Sequence, residues 1–260
     1  MLRRAAVVVA LVALPLGAAA CGGKKSSSTT TQSASSAKDA VVAAAKKTAA
    51  AGTMKLTVRA GTTTSSEKVL VAGTGAFDTP NHTGELHLRF AAGPIASTMD
   101  VVLDGESIYL RSPLFSILLP AGKSWIKIDA TKAGSVGGVN LSSLLSQDPS
   151  AALDALATHT TSVTQLGTAT VGGVTTTHYR AHASGTSGST KAAGVYNVWV
   201  GSDGYVHRVR TVAAAASGSS AASVTATSNL SGFGDTVDVT VPPASQTYET
   251  KNGTIPGLGG

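Results

Sequence analysis

The sequence predicts an α+β fold: a strongly curved antiparallel β-sheet, a half-barrel, with helices in its concave face. Three observations predict it. Short runs of period-two alternation recur between residues 54 and 241, separated by Gly, Asp and Asn turn signals. Only two helical patterns, 38–51 and 141–157, interrupt them. Charged residues make up 13% of the chain, about half the share of an ordinary globular domain. Ser, Thr, Ala and Gly take their place, a mix suited to strands, tight turns and a hydroxyl-wetted surface.

Taken in order, residues 1–20, MLRRAAVVVALVALPLGAAA, have a basic start at Arg3 and Arg4. An apolar run from Ala5 to Leu16 follows, then the small residues Ala18-Ala19-Ala20. The apolar run is shorter than the ~20 residues of a spanning helix. Cys21 is the chain's single cysteine, so no internal disulfide is available and its place after this run needs another reason. Residues 1–21 resemble a bacterial lipoprotein signal, on Ala19-Ala20-Cys21-Gly22. Ala18 stands where that pattern usually has Leu. The resemblance implies cleavage before Cys21, acylation of Cys21 with palmitate-type chains, and a lipid anchor on the extracytoplasmic side of the cell membrane. The alternative is an ordinary secretory signal with an incidental cysteine.

Residues 21–37 then read as the acylated Cys and a flexible tether. GGKKSSSTTTQSASSA lacks the apolar surface to fold, and its span is roughly 20–25 Å. The folded domain is expected over 38–243 and a loose tail over 244–260. Formal charge is +6, or +4 once Arg3 and Arg4 are removed. No Lys/Arg block accompanies it, so the charge argues against nucleic acid and leaves a mild attraction to anionic lipid headgroups.

The first helix, 38–51, is Ala-rich with Gly52 as its stop. Ala40, Val41, Ala44, Ala45 and Thr48 give it a small-residue stripe. Strands are expected at 54–58, 68–77 and 85–90, the last with Leu86, Leu88 and Phe90 inward. The central stretch is Met99–Asp129. Asp104-Gly105 is expected as its hairpin turn pair. Ile108 and Leu110 share one face, as do Ile126 and Ile128. Between them, Pro113–Pro120 is the most apolar connection of the mature chain, and such a loop needs a cover: a core, a membrane or a bound lipid. A Gly-rich loop follows over 130–140. Leu141, Leu144 and Leu145 open the second helical region. Asp148 is its second N-cap, Pro149 the first helical residue, and Leu153 and Leu156 continue the stripe. Strands resume at 162–166, 167–171, 174–183, 195–200, 205–212, 223–230 and 236–241. A polar loop is expected at 184–194 and a small-residue turn at 213–222.

The segment Asp104–Leu110, the run Gly122–Asp129, the strand Gly172–Tyr179 and the stretch Val198–Gly204 together resemble the LolA/LolB/LppX-like family of envelope lipoproteins, in its actinobacterial LppX/LprG branch. Leu230–Gly234 and Pro242-Pro243 fit as well. These motifs are structural turns, not catalytic signatures. The resemblance implies that the chain binds a lipid, glycolipid or lipidated molecule in an apolar cavity and carries it between envelope layers, without catalysis, with an export partner in the membrane. The cavity walls are then Ile108, Leu110, Ile126, Ile128, Leu141, Leu144, Leu145, Leu153 and Leu156. The residues alone establish a curved-sheet pattern with an apolar face, an apolar loop and Leu-rich helices.

The search for chemistry is mostly negative. There is no G-x-S-x-G. Gly122-Lys123-Ser124 ends like a phosphate-binding loop, but Ile117 occupies the position of the first Gly and a strand follows. His82, Glu85 and His87, or His178 and His182, form no dense ligand cluster. No catalytic residue, metal or cofactor is expected. Tyr109, Trp125 and Trp199 could meet lipid headgroups, although sheet-face packing is the commoner role. Two other classes stay open: a tethered scaffold or sensor whose core is filled by its own side chains, and an enzyme without a recognisable motif.

Overall fold

Small residues spaced for one helical stripe set the first element. Helix α1 (Ala34–Ala50) buries Ala37, Val41, Ala44, Ala45 and Thr48. It starts four residues before the expected boundary, because Ala37 extends the stripe by one turn into the stretch read as tether. The structure, a computed structural model, describes residues 34–63, 68–129, 135–136, 139–140, 149–187, 190–217 and 220–250.

The strands are β1 (Thr53–Thr63), β2 (Lys68–Asp78), β3 (Thr83–Ala92), β4 (Ile95–Asp104), β5 (Ser107–Arg111) and β6 (Trp125–Asp129). A separate two-stranded ribbon follows, β7 (Ser135–Val136) and β8 (Val139–Asn140). Then come α2 (Pro149–Thr158), β9 (Thr160–Val171), β10 (Val174–Ser187), β11 (Thr190–Gly201), β12 (Val206–Ser217), β13 (Ser220–Ser231) and β14 (Thr247–Glu249). Twelve of them form one open curved sheet in the order β14-β6-β5-β4-β3-β2-β1-β13-β12-β11-β10-β9. The fold is therefore α+β with a half-barrel sheet. Every pairing is antiparallel except β14 on β6, which is parallel. The central pair β1 and β13 joins two meanders, one from each half of the chain. Pro149 opens α2 as its missing N–H and fixed φ favour; Asp148 lies outside the described residues.

One end of the strands carries the tight turns 78–83, 104–107, 171–174 and 201–206. The other carries the ends of the hairpins β1-β2, β3-β4, β10-β11 and β12-β13. We call these the turn end and the tip end.

Several expectations are corrected. The hairpin after β4 turns on Gly105 and Glu106, since Asp104 pairs with Ser107; Gly105 alone has positive φ, at 57°. That is the φ pattern of a type II′ turn, whose first central residue is Gly. The expected loop at 130–140 contains the β7-β8 ribbon. The polar stretch 184–194 and the small-residue stretch 213–222 belong to strands β10, β11, β12 and β13 wherever they are described. Few apolar residues mark them, so periodicity missed ladders that run out from a packed base. The two segments 162–166 and 167–171 are one strand, β9, with a register shift beside Gly167, whose φ is 147°. Residues 236–241 are not a strand; Val239 instead covers a second cluster of Val102, Tyr109 and Trp125 on the convex face. Residues 244–250, expected within the tail, hold a short 3₁₀ turn and β14, which caps the edge of β6.

Candidate functional site

The period of two places one set of side chains from every long strand on the concave face. Met54, Leu56 and Val58 of β1, Leu88 of β3, Met99 and Val101 of β4 and Leu230 of β13 are buried there. Tyr179 and Ala181 of β10, Val198 of β11 and Val209 of β12 continue the same cluster. Ile108 and Leu110 pair across to Ile128 and Ile126, and all four are at most 1% exposed. Leu153 and Leu156 of α2 are fully buried in the same cluster. Thus six of the nine expected wall residues share one apolar interior. Leu141, Leu144 and Leu145 lie outside the described residues, as does Cys21.

The helices do not cover this face evenly. They pack on each other and on β9–β12. On the β2–β4 side, Val71, Leu86, Phe90 and Leu103 stay only half-buried at the margin of the cluster. The loop after β5 supplies part of the remaining cover. Ser112 caps its 3₁₀ turn, Pro113–Phe115, and its hydroxyl donates to the Thr98 carbonyl at 2.7 Å. Phe115 is buried, and Leu118 and Leu119 pack on the core. Leu114 and Ile117 do not: they are 47% and 88% exposed. The apolar loop is therefore split between the core and solvent.

Among the described residues, buried side-chain polar atoms all have hydrogen-bond partners. Thr48 Oγ1 donates to the Ala44 carbonyl at 2.7 Å and accepts from the Val206 N–H at 2.8 Å, which docks the end of α1 onto β12. Thr160 Oγ1 donates to the Leu156 carbonyl at 2.6 Å, tying α2 to the start of β9. Burial pushes the Tyr196 phenol up in pKa. It does the same for Tyr179, against an opposing hydrogen bond with Thr177.

The remaining singled-out residues have structural partners. His87 bonds Asp100 at 2.9 Å and Arg111 reaches the same carboxylate at 2.7 Å. Burial raises the Asp100 pKa, but these two partners outweigh it and hold the carboxyl below its ordinary range. Arg111 also lies over Trp125 at 4.6 Å. His178 stacks on Trp199 at 4.2 Å and faces Asn197 Oδ1 at 3.1 Å. His207, buried, reaches Asp203 at 2.9 Å and meets the edge of Phe233, which stacks on Tyr205. Asp203 is held low: the Tyr205 N–H and His207 outweigh its partial burial. Among the described residues no three His, Cys, Asp or Glu side chains converge as a metal site. Lys123 donates to the Ala244 carbonyl at 3.0 Å and a strand follows it, so this segment has neither the helix nor the glycine cradle of a phosphate loop. Periodicity missed the second cluster under Val239 because its partners are 110 or more positions away in sequence.

No family model matches this sequence, and no curated protein matches it either. Among solved structures, the chain is similar to LprF from Mycobacterium bovis, with 12% identity over 80% of this chain and 97% of that one and a TM-score of 0.46. It is also similar to the lipoprotein LppX of Mycobacterium tuberculosis, with 15% identity over 78% and 99% and a TM-score of 0.42.

Proposed function

We propose that this chain is a membrane-anchored envelope lipoprotein, held through an acylated Cys21. Between its concave sheet face and its leucine-bearing helices it takes up the acyl chains of a lipid, glycolipid or lipidated molecule. It then carries them between envelope layers without chemical change. One observation carries the reading. A single apolar face runs across a 12-stranded sheet, roughly 55 Å wide at strand spacing, while α1 and α2 together cover about 20 Å. The half-buried Val71, Leu86, Phe90 and Leu103 mark where apolar floor extends beyond the helices. Each lipid CH₂ placed there gains about 0.8 kcal/mol over water, so a long acyl chain needs no specific polar contact to be held.

A specific observation also favours the self-filled alternative. Ile108, Leu110, Ile126, Ile128, Leu153 and Leu156 are buried to 1% or less by the protein itself. These six serve as wall and core at once; the ligand space in the proposal lies on the β2–β4 side. The test is mass spectrometry of organic extracts from the purified full chain carrying Cys21→Ala, so that no covalent acyl group confuses the result. The expected outcome is a near-stoichiometric, chemically unaltered lipid. Its repeated absence after expression in a lipid-replete envelope would end the carrier reading and leave the self-filled module. The parent protein should carry acyl mass on Cys21; unmodified Cys21 would end the anchor.

A further inference from the structure

The convex face carries an order that the interior does not use. Across the strands, register places Arg180, Asn197, Arg210, Thr227, Arg59, Ala72, Arg89 and Thr98 in one transverse row. The four arginines stand on β10, β12, β1 and β3, every second strand, so neighbours are about 10 Å apart. All four are exposed, and none has an ion pair or hydrogen bond among the described residues. The row holds no acidic residue. Nor does the next row toward the tip end, which runs His182, Val195, Val212, Thr225, Gly61, Leu70, Ala91 and Ala96. The acids of the sheet lie toward the turn end instead: Asp100 is nearest, in the next row on that side and already paired with His87 and Arg111, and Asp78, Glu85, Asp104, Asp129 and Asp203 lie further off.

Two large exposed apolar side chains stand beside this row. Leu70 and Val212, each 45% exposed, stand in the second row. Leu70 borders an open depression of about 440 Å³ on the convex side, with Arg89, Ala91 and Ala96 around it.

The geometry points to this band as a docking surface for an anionic lipid bilayer, separate from the Cys21 anchor. Guanidinium groups face the phosphates, and Leu70 and Val212 enter the interfacial layer. Charge complementarity names an anionic partner. The apolar neighbours name a bilayer over a nucleic acid or polysaccharide, because a polyanion rewards arginine but gains nothing from Leu70. The sheet is convex here, so a flat membrane engages about two of the four arginines at once. At about fivefold in partition per basic residue, that is about twentyfold. The inference does not depend on what the interior holds.

The test uses the full chain with Cys21→Ala, so every variant keeps the same N-terminal segment. Binding is measured by cosedimentation with phosphatidylcholine vesicles and with vesicles about one-third phosphatidylglycerol. The parent is expected to prefer the anionic vesicles by about twentyfold at low salt. Replacing Arg59, Arg89, Arg180 and Arg210 by Gln removes that preference with the fold intact by circular dichroism. Leu70→Asp weakens binding to both vesicle types. Three results would overturn the proposal: no preference in the parent; a preference that survives the arginine variant but is lost with Lys24→Gln and Lys25→Gln; or an arginine variant that loses heparin and anionic vesicles alike while Leu70→Asp has no effect on either, which marks a polyanion surface.

Discussion

Thr48 shows what a single residue contributes that spacing cannot reveal. The sequence assigns it to the small stripe of α1, and it is buried there as expected. Its hydroxyl also spans 158 positions to satisfy the Val206 N–H at 2.8 Å. No local pattern encodes a partner so distant. Thr48→Val preserves shape and β-branching but leaves that buried N–H without an acceptor. The expected cost is about 1–3 kcal/mol in urea unfolding, whereas Thr48→Ser keeps the acceptor and loses only a methyl group. Equal losses for the two variants would show that packing, and not the hydrogen bond, docks the helix.

At the scale of elements, the strand that most shapes the sheet is β2. Its inner positions are Val71, Gly73, Gly75 and Phe77. A Cβ on Gly75 would lie 2.4 Å from the Glu85 carbonyl oxygen and 2.6 Å from Leu86 Cδ2; on Gly73 it would lie 2.3 Å from the His87 oxygen. The β3 backbone closes over these two glycines, and Leu86 and Leu88 fill the space where their side chains would be. Glycines so placed let a sheet bend sharply toward one face. The sequence reading placed a strand at 68–77 in a curved sheet but not the site of the bend, because local curvature depends on the partner strand. Gly75→Ala forces a backbone oxygen to move, and should destabilise by about 1–3 kcal/mol. Gly122→Ala, with nothing within 4 Å of the new methyl but a φ of 81°, isolates the cost of strain alone. If Gly75→Ala is no worse than Gly122→Ala, close approach is not what the glycine serves.

For the whole molecule, legibility followed burial. Strand pairs whose inner faces carry Leu, Ile, Val or Phe, such as Leu86, Leu88, Ile108 and Ile126, were readable from alternation. Ladders made of Ala, Ser, Thr and Gly, as in 213–222, were not. Their hydrogen bonds are set by neighbouring strands, and their side chains give no contrast between faces. The burial of Ile108, Leu110, Ile126, Ile128, Leu153 and Leu156 was legible for the same reason. The arginine row was not, since its order exists only across strands, at right angles to the chain.

The decisive question for the molecule is whether the concave face holds a ligand or only itself, and Val71 is the place to ask it. It lies on the inner face of β2, half-buried, away from the strands against which α1 and α2 pack. In a carrier, Val71→Trp fills ligand space. The fold then stays within about 0.5 kcal/mol of the parent, while lipid recovered by extraction falls several-fold and added lipid no longer raises the melting temperature. In a self-filled core there is no room for the indole, and the same change overpacks and destabilises by about 1–3 kcal/mol. Leu110→Trp supplies the contrast, because Leu110 is fully buried in either reading and should destabilise in both. A Val71 variant as damaging as the Leu110 variant, from a parent that never yields lipid, would assign the whole concave face to structure.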